Sequence, residues 1–163
     1  MIRPVTLHDL EPVIEIYNQA IRAKFKTGYT TPMIPHDRLK WLESYVNGEF
    51  PMLVYEINGK VVGWLSVSPY RPGRAALKYT AEISYFIDRD YHRQGIASQL
   101  LTFALEACKW QLELKTILAI VIDHNNASTQ LLEKFGFERW GYLPGVAEFD
   151  GVECSQIILG LKL

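Results

Sequence analysis

The sequence predicts an α/β fold: a mixed, largely antiparallel central sheet of about seven strands with helices on both faces, in a single domain over residues 1–163. Three observations carry this reading. Strand-like and helix-like apolar periodicities alternate in the order β-α-α-β-β-β-α-β-α-β-β. Asn58-Gly59 stands between two apolar runs, the strongest short hairpin signal. A strand–helix–strand unit in the middle requires a crossover, which makes its two strands parallel neighbours, while hairpins make the rest antiparallel.

The elements follow in order. Ile2 to Val5 reads as a short strand, and Thr6 with Asp9 three residues on forms a variant capping box for the first helix. Leu7, Leu10, Val13, Ile14, Tyr17, Ala20 and Ile21 supply its apolar stripe. Residues 27–35, rich in Thr, Gly and Pro, read as a loop. A second helix carries Leu39, Trp41, Leu42, Tyr45 and Val46 and stops near Asn47-Gly48. Met52 to Ile57 and Val61 to Val67 form the hairpin, and a loop with Arg71 and Arg74 follows. In the strand from Thr80 to Asp88, Ala81, Ile83, Tyr85 and Ile87 share one face; Thr80, Glu82, Ser84 and Phe86 share the other. A long helix from about Gly95 to Leu112 buries Leu100, Leu101, Ala104 and Cys108. Ile117 to Ile122 is wholly apolar, as for a strand covered on both faces. A short helix from about Asn126 to Phe135 and strands near Phe137–Tyr142 and Glu153–Leu161 complete the chain.

Composition narrows the function. The chain is 48% apolar and 21% charged, which is ordinary for a globular domain. Seventeen Lys and Arg against eighteen Asp and Glu give a net charge of −1, unlike a nucleic-acid binder with its basic excess. No apolar run approaches the roughly 18 residues that span a bilayer. The N-terminus has no secretory apolar region, since Asp9 and Glu11 interrupt it. Cys108 and Cys154 share no metal-ligand or redox spacing, so two reduced thiols and a cytoplasmic setting are expected, with no metal site.

Chemistry concentrates in two stretches. The run from Arg89 to Ser98 joins the middle strand to the long helix. A helix start offers unpaired N–H groups and the positive end of a dipole, which together receive an anion. Gly95 and the small Ala97 let a ligand approach the backbone, and Arg93 adds a charge. The run lacks the Gly-Lys-Ser/Thr of a nucleotide P-loop and the full Gly-x-Gly-x-x-Gly of a dinucleotide loop. The second stretch places Asn125 and Ser128 after the next strand, with Gly136 closing the short helix. Asn125 reads either as a helix cap or as a contact at the carboxyl end of a parallel strand, where open α/β sheets bind ligands.

Together the two stretches resemble the motifs of the GNAT acetyltransferase superfamily. His92-Arg93-Gln94-Gly95-Ile96-Ala97 matches Gln/Arg-x-x-Gly-x-Gly/Ala, and Asn125, Ser128, Leu131, Gly136 and Phe137 match the second motif. The element order fits from end to end. Ile16-Tyr17-Asn18 and Thr80-Ala81-Glu82-Ile83-Ser84 resemble the phosphinothricin/methionine sulfoximine branch. The resemblance implies acetyl-CoA as donor, a parallel strand pair that splays, and a pantetheine arm in the gap on the backbone of Tyr85, Phe86 and Ile87. It places the pyrophosphate on the N–H groups of Arg93, Gln94, Gly95, Ile96, Ala97 and Ser98, with Asn125 and Ser128 on the far side. It also implies a homodimer. The chain departs from the pattern at His92, at Leu132 where many members carry a Tyr acid, at Leu77, and over residues 144–151.

An amine attacks a thioester only as the free base, so a proton must be removed. The resembling branch places its Glu in the Thr-x-Glu context, which assigns Glu82 as the base; an apolar cleft would raise its pKa. Otherwise Glu82 is a surface strand residue. Tyr17 and the loop from Thr27 to Ile34 are expected in the acceptor wall. Arg71 and Arg74 read either as a carboxylate clamp or as solvated loop residues. Trp41 and Trp64 are expected in the core or a dimer contact. The expected acceptor is a small-molecule primary amine, an amino acid or an analogue such as phosphinothricin or methionine sulfoximine. The alternatives are a protein or peptide amine, a polyamine or an aminoglycoside, or a CoA-binding module without chemistry.

Overall fold

A computed structural model describes all of residues 1–163. Seven strands form one sheet: β1 (Ile2–Pro4), β2 (Met52–Ile57), β3 (Lys60–Pro69), β4 (Thr80–Ile87), β5 (Thr116–Ile122), β6 (Glu138–Phe149) and β7 (Val152–Lys162). Their spatial order is β1-β2-β3-β4-β5-β7-β6, and only β4 and β5 are parallel. The helices are α1 (Leu10–Ala23), α2 (Leu39–Val46), α3 (Ile96–Trp110) and α4 (Asn126–Lys134).

The sheet has a core on each face. On one, α3 and α4 contribute Leu100, Leu101, Ala104 and Leu132 against Leu65, Val67, Ala81, Ile83, Ile117 and Ala119. On the other, Val13 and Ile16 of α1 and Leu42 of α2 pack on Met52, Val54 and Trp64. The face alternation expected for β4 is observed, since Ala81 and Ile83 join the first core while Phe86 packs against the second. The indole N–H of Trp64 donates to the Val13 carbonyl at 3.1 Å, so the largest buried side chain leaves no orphaned donor.

Local chemistry sets the boundaries. The Asp9 carboxylate accepts from the Thr6 N–H and hydroxyl at 2.8 and 2.9 Å, and from Arg3. Burial alone would raise its pKa, but Arg3 and Thr6 outweigh that and hold it below the ordinary carboxylate value. Asn58 and Gly59 both have positive φ, as the tight β2–β3 turn requires.

Two elements differ from the sequence reading. β6 does not end at Tyr142 but runs to Phe149 and turns at Asp150-Gly151, both at positive φ. Pro144 and Gly145 sit in a bulge between the Leu143↔Gln156 and Ala147↔Cys154 pairs, where a strand tolerates proline. Ser155 pins the bulge, accepting from the Gly145 N–H at 3.1 Å and the Tyr142 hydroxyl at 2.8 Å. β5 is not covered throughout, because Ile120 is 38% exposed. The α1 helix lies over β3 and β4 and leaves that stretch of β5 open.

Replacing Leu100, which is fully buried between α3 and the sheet, with Ala should cost about 2–5 kcal/mol. Equilibrium urea denaturation checks this as a fall in the transition midpoint.

Candidate active site

The parallel pair is brief. β4 and β5 are in register at Thr80↔Thr116, Ala81↔Ile117 and Glu82↔Leu118, and then they part. Beyond that point β4 stays paired with β3 as far as Ile87↔Gly63, while β5 stays paired with β7 as far as Ile122↔Gln156. The Asp88 N–H reaches the Val62 carbonyl, and the Thr80 carbonyl accepts from Tyr70, so even-numbered residues of β4 turn their main chain toward β3. By alternation, Tyr85 and Ile87 turn theirs into the gap. Phe86, expected with them, does not: its main chain faces β3 and its ring joins the α1–α2 face.

At the open end of the gap, a single 3₁₀ turn over Arg89–Tyr91 gives way to α3 through Arg93 and Gly95, both in left-handed conformation with φ of 62° and 76°. None of the six backbone N–H groups from Arg93 to Ser98 finds an acceptor within the chain. A Cβ at Gly95 would meet only the Gln99 side-chain amide nitrogen at 3.9 Å, so the space beside Gly95 is open. Ile96 is buried against the sheet, while Arg93 and Gln94 are exposed. Across the gap, the Tyr85 and Ser128 hydroxyls share a hydrogen bond of 2.5 Å. Asn125 occupies the N-cap position of α4 without capping it, and its side-chain oxygen accepts from Lys26 at 3.0 Å.

The other face of β4 borders a cavity of about 200 Å³. Its walls are Tyr17 of α1, Tyr29 and Met33 of the following loop, Arg38, Trp41 and Tyr45 around α2, and Trp64 of β3. Ser66, Ser68 and Ser84 make a polar strip along the strands. The aromatic rings brace one another edge-on: Tyr17 to Trp64 at 5.4 Å, Trp41 to Tyr45 at 5.6 Å, Trp41 to Trp64 at 5.9 Å. Glu82 lies opposite Ser68 on this face and is the last β4 residue paired with β5. Burial alone pushes its carboxyl above the ordinary value. Burial also raises the Tyr17 and Tyr45 hydroxyls. The Tyr45 hydroxyl lies beside Ser66 and Ser68 and feels the Glu82 charge.

The arrangement thus joins a row of free main-chain donors, a cleft between strands and a walled cavity, with one carboxylate where cleft and cavity meet. Residues 1–138 match the model of the acetyltransferase (GNAT) domain. The chain belongs to the GNAT acetyltransferase family. It is 37% identical over 155 residues to a Bacillus subtilis protein named as a candidate phosphinothricin acetyltransferase, covering 95% of this chain and 94% of that one. It is 29% identical over 163 residues to the L-methionine sulfoximine/L-methionine sulfone acetyltransferase of Pseudomonas paraeruginosa, covering 99% and 94%. A Salmonella typhimurium structure described with its cofactor acetyl-CoA superposes with a TM-score of 0.93 at 25% identity, covering 100% and 93%.

Within this GNAT fold, Tyr17 lines the cavity, Glu82 lies next to it opposite Ser68, and Tyr85, Ile87, Ser128 and the Arg93–Ser98 run border the gap. Arg71 and Arg74 do not line the cavity; both are exposed, and Arg71 stacks on Tyr70. The cation in the wall is Arg38, which the sequence reading passed over. Trp41 and Trp64 serve the core but also line the cavity, beyond what was expected of them. Leu132 is fully buried, which agrees with a packing role where many relatives are expected to carry Tyr.

Gly95→Ala should cost about 1–2 kcal/mol, because the left-handed φ is strained for any Cβ even with open space around it. Urea denaturation of the variant measures the loss.

Proposed function

We propose that this GNAT protein transfers an acetyl group from acetyl-CoA to the primary amine of a small molecule, an amino acid or analogue, by direct attack. One observation carries the reading: Glu82 lies beside the aromatic cavity, paired with Ser68 of its wall, at the point where β4 and β5 part, and burial raises its pKa. An amine in the cavity and a thioester in the gap would meet there.

The site fits the donor. The free N–H groups from Arg93 to Ser98, at the positive end of α3, suit a diphosphate. The main-chain groups of Tyr85 and Ile87 suit the amides of an extended arm, as an added strand would. Asn125 and Ser128 lie across the gap. When bound, acetyl-CoA supplies an activated acyl carbon and a thiolate leaving group. The chain's own part is to hold the amine against Glu82 and remove its proton. Burial raises the Glu82 pKa, and a carboxylate with a raised pKa is a stronger base than an ordinary one. Tyr17, in the cavity wall, bounds the acceptor; Arg71 and Arg74, away from the cavity, would touch only an acceptor extending beyond it.

The reading extends to one domain over residues 1–163, to a cytoplasmic setting and to a homodimer. Two buried free thiols suit a reducing compartment, and no helix is long and apolar enough to cross a membrane. Trp140, Tyr142, Leu143 and Val146 of β6 are all exposed, as a strand awaiting a second copy would be. A protein amine is a poorer fit, since the cavity is small and walled by aromatic rings on several sides.

Thiol release from acetyl-CoA across a panel of amino acids, sulfoximines, polyamines and peptides tests the reaction. Glu82→Gln should lower kcat/KM by about 10²–10⁴ without weakening CoA binding. In the wild type, kcat/KM should rise with pH through a value above the ordinary carboxyl range, because only the ionised carboxylate accepts the proton. That limb should vanish in the Gln variant. Normal turnover by the variant would refute the assignment.

A further inference from the structure

Arg38 is the one charged side chain lining the cavity, and no carboxylate in the chain pairs with it. It is half-buried at the start of α2, where the helix dipole adds to its positive field. Its guanidinium stacks on the Tyr29 ring at 5.1 Å, and Tyr29 leans on Tyr17 at 5.8 Å. The fork is thus held at the cavity wall by a cation–π contact that leaves its N–H groups without a hydrogen-bond partner.

The cavity is also polarised. Arg38 acts on the Tyr17 hydroxyl, and Glu82 acts on the Tyr45 hydroxyl, and both tyrosines line the wall. Positive charge therefore sits toward Tyr17 and Tyr29, and negative charge toward Tyr45. A molecule that answers both ends carries an amine and an anion. A polyamine or aminoglycoside would bring further cations against Arg38.

We propose that Arg38 is the carboxylate anchor of the acceptor, so that the amines taken by this cavity are amino acids. The inference rests on the acetyltransferase reading for what occupies the cavity. Arg38 makes a charge-assisted, fork-shaped contact with the carboxylate, and the rings hold the remainder of the molecule. The exposed Arg71 and Arg74 are not needed for it.

Calorimetric titration of L-methionine sulfone and of its carboxamide into the CoA-bound protein tests this. The wild type should bind the free carboxylate roughly ten- to hundredfold more tightly than the carboxamide. Arg38→Gln should bring the two affinities within about threefold. Arg38→Lys, which keeps the charge and loses the fork, should retain part of the preference. Equal binding of both compounds by the wild type, or an undiminished preference in Arg38→Gln, would overturn the proposal. Binding is read without turnover. A protein that discriminates as expected but releases no thiol from acetyl-CoA therefore sinks the acetyltransferase reading and leaves the anchor standing.

Discussion

The parting of β4 and β5 after three residue pairs is the constraint on which the site depends. Each strand is held by its outer neighbour, β4 by β3 and β5 by β7, well past the point of separation. The sheet therefore divides into two halves that share only a short seam. Main-chain groups along the inner edge of β4 lose their ladder partners, and buried backbone polar groups must be satisfied somehow. A ligand with amides of its own can do this; an apolar one cannot. The free N–H groups at the start of α3 continue the same demand at the open end of the cleft.

The seam also fixes Glu82. Its backbone belongs to the last paired position, and its side chain leaves on the α1–α2 face. In the proposed reaction, strand alternation would divide the work: the main-chain edge of β4 beyond Glu82 would take the donor, and its side-chain face the acceptor. The cavity owes its walls to the packing of α1 and α2, whose aromatic rings meet around Trp64. Fold stability and, in the proposed reaction, acceptor recognition would therefore draw on the same rings.

Much of this was legible in the sequence because it is local. Asn58-Gly59 announces its hairpin, alternation from Thr80 to Ile87 assigns the faces of β4, and Gly95 marks the start of α3. The length of β6 was misjudged because Pro144 and Gly145 look like a strand end. The Asp150-Gly151 pair was the available signal for the true turn. Arg38 was missed for a different reason. Its place at the cavity depends on how α2 packs across β3, and nothing in residues 35–46 reveals that contact. Arg71 and Arg74 drew attention by lying close before β4 in sequence, but closeness in sequence did not bring them to its inner face. Phe86 shows the same limit at finer scale, since neighbours along a strand share a segment without sharing a side.

A ¹⁵N–¹H correlation spectrum recorded during titration with coenzyme A tests the central claim most directly. The account predicts that the amides of Arg93 to Ser98 and of Tyr85 move together, with that of Arg3 in the edge strand β1 unchanged. Saturable binding that leaves those amides in place while others shift would contradict it.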